Sequence, residues 1–130
     1  MFIYNPPYLS APRAPLTETL TNTMKNILVT GGNAGIGLAL CRQLLVEQGC
    51  FVFMGARSLE RGAAGVKSII DKHPDVASRI ELLEIDVSSD DSVAAAVATF
   101  KEKGKTLYAL VNNAGVGLNR YMRHIHRAKI

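Results

Sequence analysis

The sequence is poor in the features that mark several large classes of protein. It contains no Trp, and aromatic residues make up only 6% of its 130 residues, which argues against a stacking platform for nucleic acids. No apolar run approaches the ~18 residues that a membrane-spanning helix requires. Its two cysteines, Cys41 and Cys50, are too few for a disulfide framework. We therefore expect no membrane span, no nucleic-acid partner and two small buried thiols, as in a cytoplasmic protein.

Positive charge is concentrated at one end of the chain. The formal net charge is +4, with fifteen Lys and Arg against eleven Asp and Glu. Four of the fifteen basic residues lie after residue 118 with no acid among them, so the rest of the chain is neutral. These four are Arg120, Arg123, Arg127 and Lys129. We interpret 119–130 as a basic, solvated tail, since an isolated charge cluster seldom forms a binding surface.

The first 24 residues differ in composition from the rest. They hold four of the five prolines and a threonine-rich stretch, and proline at this density forbids a helix or a central strand. No basic region followed by an apolar core is present, so the segment is not a secretory signal. We predict a disordered leader at 1–24. An organelle transit peptide stays open as an alternative, because the first acidic residue is Glu18.

From Lys25 onward, strand-like and helix-like segments alternate. Short apolar runs predict strands at 26–30, 51–54, 80–87 and 107–111. Apolar residues at helical spacing predict three helices, which run from residue 36 toward a C-terminal cap at Gly49, over 59–72, and from Ser89 through Phe100. This order predicts an α/β fold, a Rossmann-type doubly wound parallel sheet that is truncated after the fourth strand.

A glycine-rich stretch separates the first predicted strand from the first helix. Residues 30–37 read TGGNAGIG. Glycine permits a tight turn there, lets a phosphate approach the backbone and allows the helix to pack close to the strand. The N–H groups that begin the helix would face an anionic pyrophosphate. The order strand, turn, helix favours dinucleotide binding over a purely structural turn.

Two motifs make the sequence resemble the short-chain dehydrogenases/reductases. TGGNAGIG fits the family pattern TGxxxGxG, and the second family motif, NNAG, follows the fourth predicted strand at 112–115. The stretches GIGLALCRQLL and GARSLERG are similar to those of carbonyl-reductase-like members. The resemblance covers 25–118. It implies the NAD(P)-binding, N-terminal half of a Rossmann domain from an oxidoreductase that acts on carbonyl or alcohol groups.

The resemblance also implies which residues bind the cofactor. The residues that would line the phosphates are Gly31, Asn33, Gly35, Ile36 and Gly37. The residues that would contact the adenine, at the end of the third predicted strand, are Asp86 and Val87. The residues that would hold the fourth strand near the nicotinamide ribose are Asn112, Asn113, Ala114 and Gly115. A helix-entry role for Asp86 and a structural role for the paired asparagines stay open as alternatives.

The end of the second strand decides which dinucleotide binds. An acid there would accept a hydrogen bond from the adenosine 2′-hydroxyl and repel a 2′-phosphate. The sequence has Arg57 instead, with no acid before Glu60. A guanidinium can hold a 2′-phosphate through two hydrogen bonds, and family members with Ala-Arg at this point use NADP(H). We therefore favour NADP(H) over NAD(H), with a solvated surface arginine as the alternative.

The residues that perform the family's chemistry do not occur at their positions. Family members use a Ser, and a Tyr and Lys spaced as YxxxK, after NNAG. None of the four tyrosines has Lys four residues later, and the last serine, Ser92, precedes NNAG. We assign no catalytic residue, and no metal site either, because His124 and His126 lack a third ligand.

Activity of this chain therefore stays open at the level of the sequence. It is by resemblance the cofactor-binding half of an oxidoreductase. The alternatives are a non-catalytic dinucleotide-binding or interaction fragment, which would pair with a partner through the exposed edge of the fourth strand, and a truncated product without function.

Overall fold

The computed structural model describes residues 23–115, over which strands and helices alternate. The strands are β1 (Asn26–Thr30), β2 (Phe51–Ala56), β3 (Ile80–Glu84) and β4 (Ala109–Val111). The helices are α1 (Gly35–Val46), α2 (Leu59–Ile70) and α3 (Asp90–Glu102), with a 3₁₀ helix at Pro74–Arg79 before β3. The predicted basic tail, His124 and His126, and all but the last two residues of the predicted leader lie outside the described residues.

The four strands form one parallel sheet in the order β3-β2-β1-β4. β1 pairs with β2 from Asn26↔Phe51 to Thr30↔Gly55, and on its other side with β4 from Ile27↔Ala109 onward. The chain thus builds outward from β1 to β3 and then crosses back to place β4 beside β1. Such a reversal of strand order opens a crevice at the carboxyl ends of the strands, where α/β sheets bind ligands. The predicted Rossmann-type parallel sheet is confirmed.

Helices cover both faces of the sheet, and each face has its own apolar core. On one face, α1 and α2 pack on alternate strand residues such as Val29, Val52 and Met54. On the other face, α3 packs on the intervening residues Leu28 and Phe53. Burial on both faces explains why the strands are nearly continuous apolar runs rather than alternating ones.

Several element boundaries differ from those predicted. β2 runs two residues further, and β4 begins at Ala109 rather than at 107. β3 ends at Glu84, so the prediction that Asp86 and Val87 belong to its end was wrong. The chain turns there because the Asp86 carboxylate accepts hydrogen bonds from both the backbone N–H and the hydroxyl of Ser88. A side chain that bonds to its own backbone in this way competes with strand pairing.

Two smaller sequence predictions concern the turn after α1 and the two cysteines. The helix ends at Val46, and the chain reverses at Gly49, whose φ of 63° lies in the left-handed region that favours glycine. Both cysteines are buried and free, as expected. Burial raises the pKa of the Cys41 thiol to about 12, so this sulfur is a packing group and not a nucleophile.

Candidate dinucleotide site

The loops that leave the four strands meet at one edge of the sheet and enclose a cavity of about 540 Å³. Each loop contributes lining residues, so the cavity lies across the strand-order reversal. The lining residues are Gly31, Asn33, Ala34, Ile36, Gly37, Arg57, Ser58, Arg61, Ile85, Asp86, Val87, Ser88, Asn113, Ala114 and Gly115. A volume of this size is in the range of small-molecule and cofactor sites.

The glycine-rich loop between β1 and α1 needs glycine at two positions for different reasons. Gly35 adopts a φ of 56°, and no atom lies within 4 Å of the place a Cβ would occupy, so the reason for glycine is backbone conformation. At Gly37 a Cβ would overlap the carbonyl oxygen of Gly31, so the reason is close packing of α1 on the loop. The first brings the backbone into its turn, and the second holds α1 against it.

The N-terminus of α1 has backbone donors that no side chain of residues 23–115 satisfies. Its N-cap residue, Ala34, makes no side-chain hydrogen bond to the helix, and its first turn holds no acid. The first N–H groups of a helix have no partner within the helix itself. Together with the dipole, they form an anion-binding end that faces the cavity.

The Thr30 hydroxyl joins the end of β1 to the backbone after β4. Its Oγ1 accepts hydrogen bonds from the N–H groups of Asn113 and Ala114, each at 3.0 Å, and donates to the carbonyl oxygen of Val111 at 3.3 Å. In the opposite direction, the Asn113 side-chain amide donates to the carbonyl oxygens of Thr30 and Gly31 at 3.1 and 3.2 Å. These five hydrogen bonds set the position of the NNAG segment relative to the glycine-rich loop.

Two arginines lie at the end of β2. Arg57 follows the strand directly, and Arg61 lies in the first turn of α2. Ser58 between them is the N-cap of α2, and its Oγ accepts a hydrogen bond from the Arg61 N–H at 3.3 Å. All three residues line the cavity, whereas Glu60, the acid in that first turn, does not. The β2 end of the cavity is therefore positively charged.

Among residues 23–115, Asp86, after β3, is the one acid that lines the cavity. The hydrogen bond from the Ser88 hydroxyl, 2.6 Å long, holds the pKa of this carboxyl below its ordinary value, with smaller contributions from the Ser88 N–H and the Arg57 charge. Both bonds from Ser88 end on Oδ1, so Oδ2 keeps its capacity to accept a hydrogen bond from a ligand. Asp86 is thus an ionised acceptor at neutral pH.

The structure brings together most of the residues that the motifs predicted. Only Gly35, which shapes the turn without lining the cavity, and Asn112, which is exposed beyond β4, do not contribute to the wall. The motifs did not predict the lining residues Ala34, Ser58, Arg61, Ile85 and Ser88. For Arg61 a signal existed, because it lies four residues after Arg57 and three after Ser58, which suits a helix N-cap.

The catalytic tyrosine and lysine of the resemblance have no counterpart in the described residues. Tyr108, the one tyrosine of 23–115, lies before β4 and does not line the cavity. Tyr4, Tyr8 and Tyr121 lie outside the described residues. Between 23 and 115, no group of three His, Cys, Asp or Glu side chains is arranged to hold a metal ion, and no helix is long and apolar enough to cross a membrane.

Comparison with known proteins connects this geometry to a family. A family model described as short chain dehydrogenase matches residues 25–130. This chain belongs to the short-chain dehydrogenase family. The match includes 119–130, which the sequence analysis separated as a tail. Members of this family bind a nicotinamide dinucleotide.

Individual relatives give the same result. The short-chain dehydrogenase/reductase drtF of Aspergillus calidoustus is 40% identical over 97 residues, which cover 75% of this chain and 30% of the relative. Menthone neomenthol reductase from Mentha piperita has a similar structure, with a TM-score of 0.69, 31% identity, and 82% of this chain and 40% of that chain covered. A metagenomic short-chain oxidoreductase in complex with NADP gives a TM-score of 0.60 and 32% identity, with 72% and 40% covered.

The chain spans only part of the length of these relatives, about a third or less of the drtF protein and 40% of each structure. The described residues therefore correspond to one portion of a family member, the portion that carries the glycine-rich loop and NNAG.

Proposed function

We propose that this chain binds NADP(H), in preference to NAD(H), across the carboxyl ends of its four strands. The observation that carries the proposal is the pair of guanidinium groups, Arg57 and Arg61, at the β2 end of the cavity, where an acid would select NAD(H). A related oxidoreductase of similar fold that holds NADP supports it.

The rest of the cavity fits the remaining parts of such a cofactor. Gly31 and Gly37, which line the cavity without a side chain, and the N–H groups at the start of α1, which have no side-chain cap, suit a pyrophosphate. Asp86 Oδ2 is free to accept a hydrogen bond from the adenine amine, and half-exposed Val87 offers an apolar surface for the base. Each recognition group thus comes from a different strand end, in the order in which the parts of a dinucleotide occur.

We further propose that the family's oxidoreductase chemistry on carbonyl or alcohol groups belongs to the whole protein. The cofactor supplies or accepts a hydride, and the residues 23–115 bind and orient it. No Ser and no Tyr-x-x-x-Lys follows NNAG among the 130 residues, so we expect this chain to bind NADPH without turning it over. By itself, we expect this chain to bind the dinucleotide without catalysing a reaction.

Calorimetric titration with NADPH and NADH tests the preference. We expect NADPH to bind about tenfold or more tightly, and we expect R57Q and R61Q each to weaken NADPH binding by roughly tenfold, since a hydrogen bond to a charged group contributes about 1.5–3 kcal/mol. Binding of NADH should hardly change in either variant, because it lacks the phosphate.

The R42Q variant is a matched control. Arg42 is exposed on α1 and does not line the cavity, so its replacement removes the same charge from the surface without touching the site. Equal affinity of the unaltered chain for NADPH and NADH would contradict the proposed preference. So would an equal loss of NADPH affinity in R42Q and R57Q.

A further inference from the structure

We propose that residues 118–129 form an amphipathic helix that docks on an apolar face made by β4 and α3, over Leu110. The face belongs to the described residues, and its occupant is the segment of the same chain that follows NNAG. The basic side chains of the segment then form its outer, solvated side. The inference is independent of NADP(H) binding, because neither Leu110 nor any residue of α3 lines the cavity.

The strand β4 is covered by a helix on one of its two faces. Ala109 and Val111 pack against the core that α1 covers. Leu110 points to the opposite face, because it pairs in register with Leu28, which lies in the core under α3. Leu28 is 8% exposed, whereas Leu110 is 50% exposed. Among residues 23–115, α3 therefore covers β1 on this face and leaves β4 bare.

The outer side of α3, beside this bare strand, is apolar as well. Between Asp91 and Lys101 the helix has no charged residue, although five side chains there are exposed. The five are Ala94, Ala95, Val97, Ala98 and Thr99. A helix whose outer side meets water normally carries charged or polar groups on it. Leu110 and these residues of α3, the α3–β4 face, thus form a surface suited to an apolar neighbour.

The sequence after NNAG has the pattern of an amphipathic helix. Apolar residues recur at spacings of three and four, at Leu118, Tyr121, Met122, Ile125 and Ala128. With ~3.6 residues per turn they occupy about a third of the circumference. The rest of the circumference is polar or basic, apart from Lys129 at the end, and carries Asn119, Arg120, Arg123, His124, His126 and Arg127. Such an apolar stripe fits the α3–β4 face.

Topology and length place the segment on this face. The crossover from β3 to β4 runs through α3, and successive right-handed crossovers in one direction along a parallel sheet lie on the same face. A helix that continues from β4 in this direction therefore lies on the α3 side. The twelve residues 118–129 would span ~18 Å as a helix, close to the ~20 Å of the thirteen-residue α3.

Stability and charge are consistent with docking. A helix of this length is marginal in water by itself, so packing of its apolar stripe must hold it. The segment and α3 both begin at the carboxyl edge of the sheet, where α3 exposes Asp90 and Asp91. These acids complement Arg120 and Arg123 in the first turns of the segment. Docking covers the face of β4 and leaves the outer edge of the strand open.

Fluorescence of a single introduced tryptophan tests the docking, because the chain contains no Trp. Y121W places the indole on the apolar stripe, and R123W places it on the basic side. Acrylamide should quench Y121W several-fold less than R123W in the 130-residue chain, and the Y121W emission should lie at shorter wavelength, since its indole is buried. Equal quenching in the two variants would overturn the proposal.

A second substitution identifies the surface that shields the indole. L110N in the Y121W chain should raise quenching to the level of R123W, with the fold checked by circular dichroism. L59N is the matched control and should leave the indole shielded, because Leu59 is 53% exposed and begins α2 on the other face of the sheet. Shielding that survives L110N contradicts the proposal. So does shielding that is lost on dilution, which would make a second copy of the chain the occupant.

Hydrogen exchange gives a measurement without any substitution. The amides of 121–128 should exchange several-fold more slowly in the 130-residue chain than in a peptide of residues 116–130, because the isolated helix is marginal and docking protects it. Equal exchange rates in the chain and in the peptide would mean that the segment is not docked.

Discussion

The Thr30 hydroxyl is buried, with 2% of the residue exposed, and it serves three backbone groups at once. Its role differs from that of a residue that touches the ligand. It fixes where β1 ends and where NNAG begins, and the lining residues on both sides take their positions from it. These three hydrogen bonds need a hydroxyl at position 30, and a small apolar side chain could not make them.

Replacement of Thr30 by valine should destabilise the protein. The variant T30V keeps the shape of the side chain but leaves the N–H groups of Asn113 and Ala114 without their acceptor, which costs about 2–3 kcal/mol of unfolding free energy. Urea denaturation followed by circular dichroism measures the loss. The variant T30S retains the hydroxyl and is the control; if T30S and T30V prove equally unstable, the methyl group and not the hydroxyl matters.

At the scale of elements, α2 packs against the glycine-rich loop of the candidate site at one of its glycines. Gly65 is buried in the middle of the helix, and a Cβ there would lie 3.1 Å from both the Cα and the carbonyl oxygen of Asn33. Gly62, one turn earlier, has the Leu82 side chain as its nearest neighbour instead. Two glycines of the same helix therefore face different neighbours: Gly65 faces the backbone of the glycine-rich loop, and Gly62 faces a half-buried side chain.

Alanine at Gly62 and at Gly65 should affect NADPH binding to different extents. Alanine stabilises a helix by about 1 kcal/mol relative to glycine. Both G62A and G65A therefore gain helix propensity, and both crowd the residues against which α2 packs. We expect G65A to weaken NADPH binding by several-fold, because Asn33 must shift, whereas G62A should bind within about twofold of the unaltered chain, because Leu82 and, to a smaller extent, Ala56 must move and neither lines the cavity. Calorimetry measures both. Equal weakening in the two variants would mean that α2 does not transmit its position to the loop.

The elements also show how far the sequence predicts this molecule. Strand and helix order, the parallel sheet and the glycine-rich turn follow from periodicity and from glycine placement, and β1 has the predicted bounds. The end of β3 was wrong because the apolar pattern continues through Ile85 and Val87, while the turn is decided by a hydrogen bond from Ser88 to Asp86. The spacing of Arg61 from Arg57 and from the N-cap Ser58 was visible in the sequence, but its place at the cavity also depends on where α2 packs, and so it was not predicted.

At the scale of the whole molecule, β4 is the last strand of the sheet over residues 23–115, and one of its edges has no partner there. Leu110, in the middle of this strand, is 50% exposed. An apolar strand edge of this kind favours pairing with another chain or with a further strand of the same protein. We proposed from the sequence that this edge pairs with a partner, and that proposal remains to be tested.

A charge on the strand should suppress such pairing. We expect the 130-residue chain to associate as its concentration rises, and we expect L110K to remain monomeric over the same range, since lysine on an edge strand opposes pairing. Sedimentation velocity reports the difference. V97K places the same charge on an exposed position of α3 and should behave like the unaltered chain. A monodisperse monomer without any substitution would contradict the proposal.

The contact between Thr30 and Asn113 spans 83 positions of the chain, and this has a consequence for the order of events during synthesis. The ribosome completes the glycine-rich loop early, yet the loop acquires its supports only when β4 has been made and has paired with β1. A nascent chain that has not reached NNAG therefore carries the glycine motif without a finished site. A ligand that binds only the finished site can therefore bind only after all four strands have assembled. Its binding stabilises the four-stranded state by mass action.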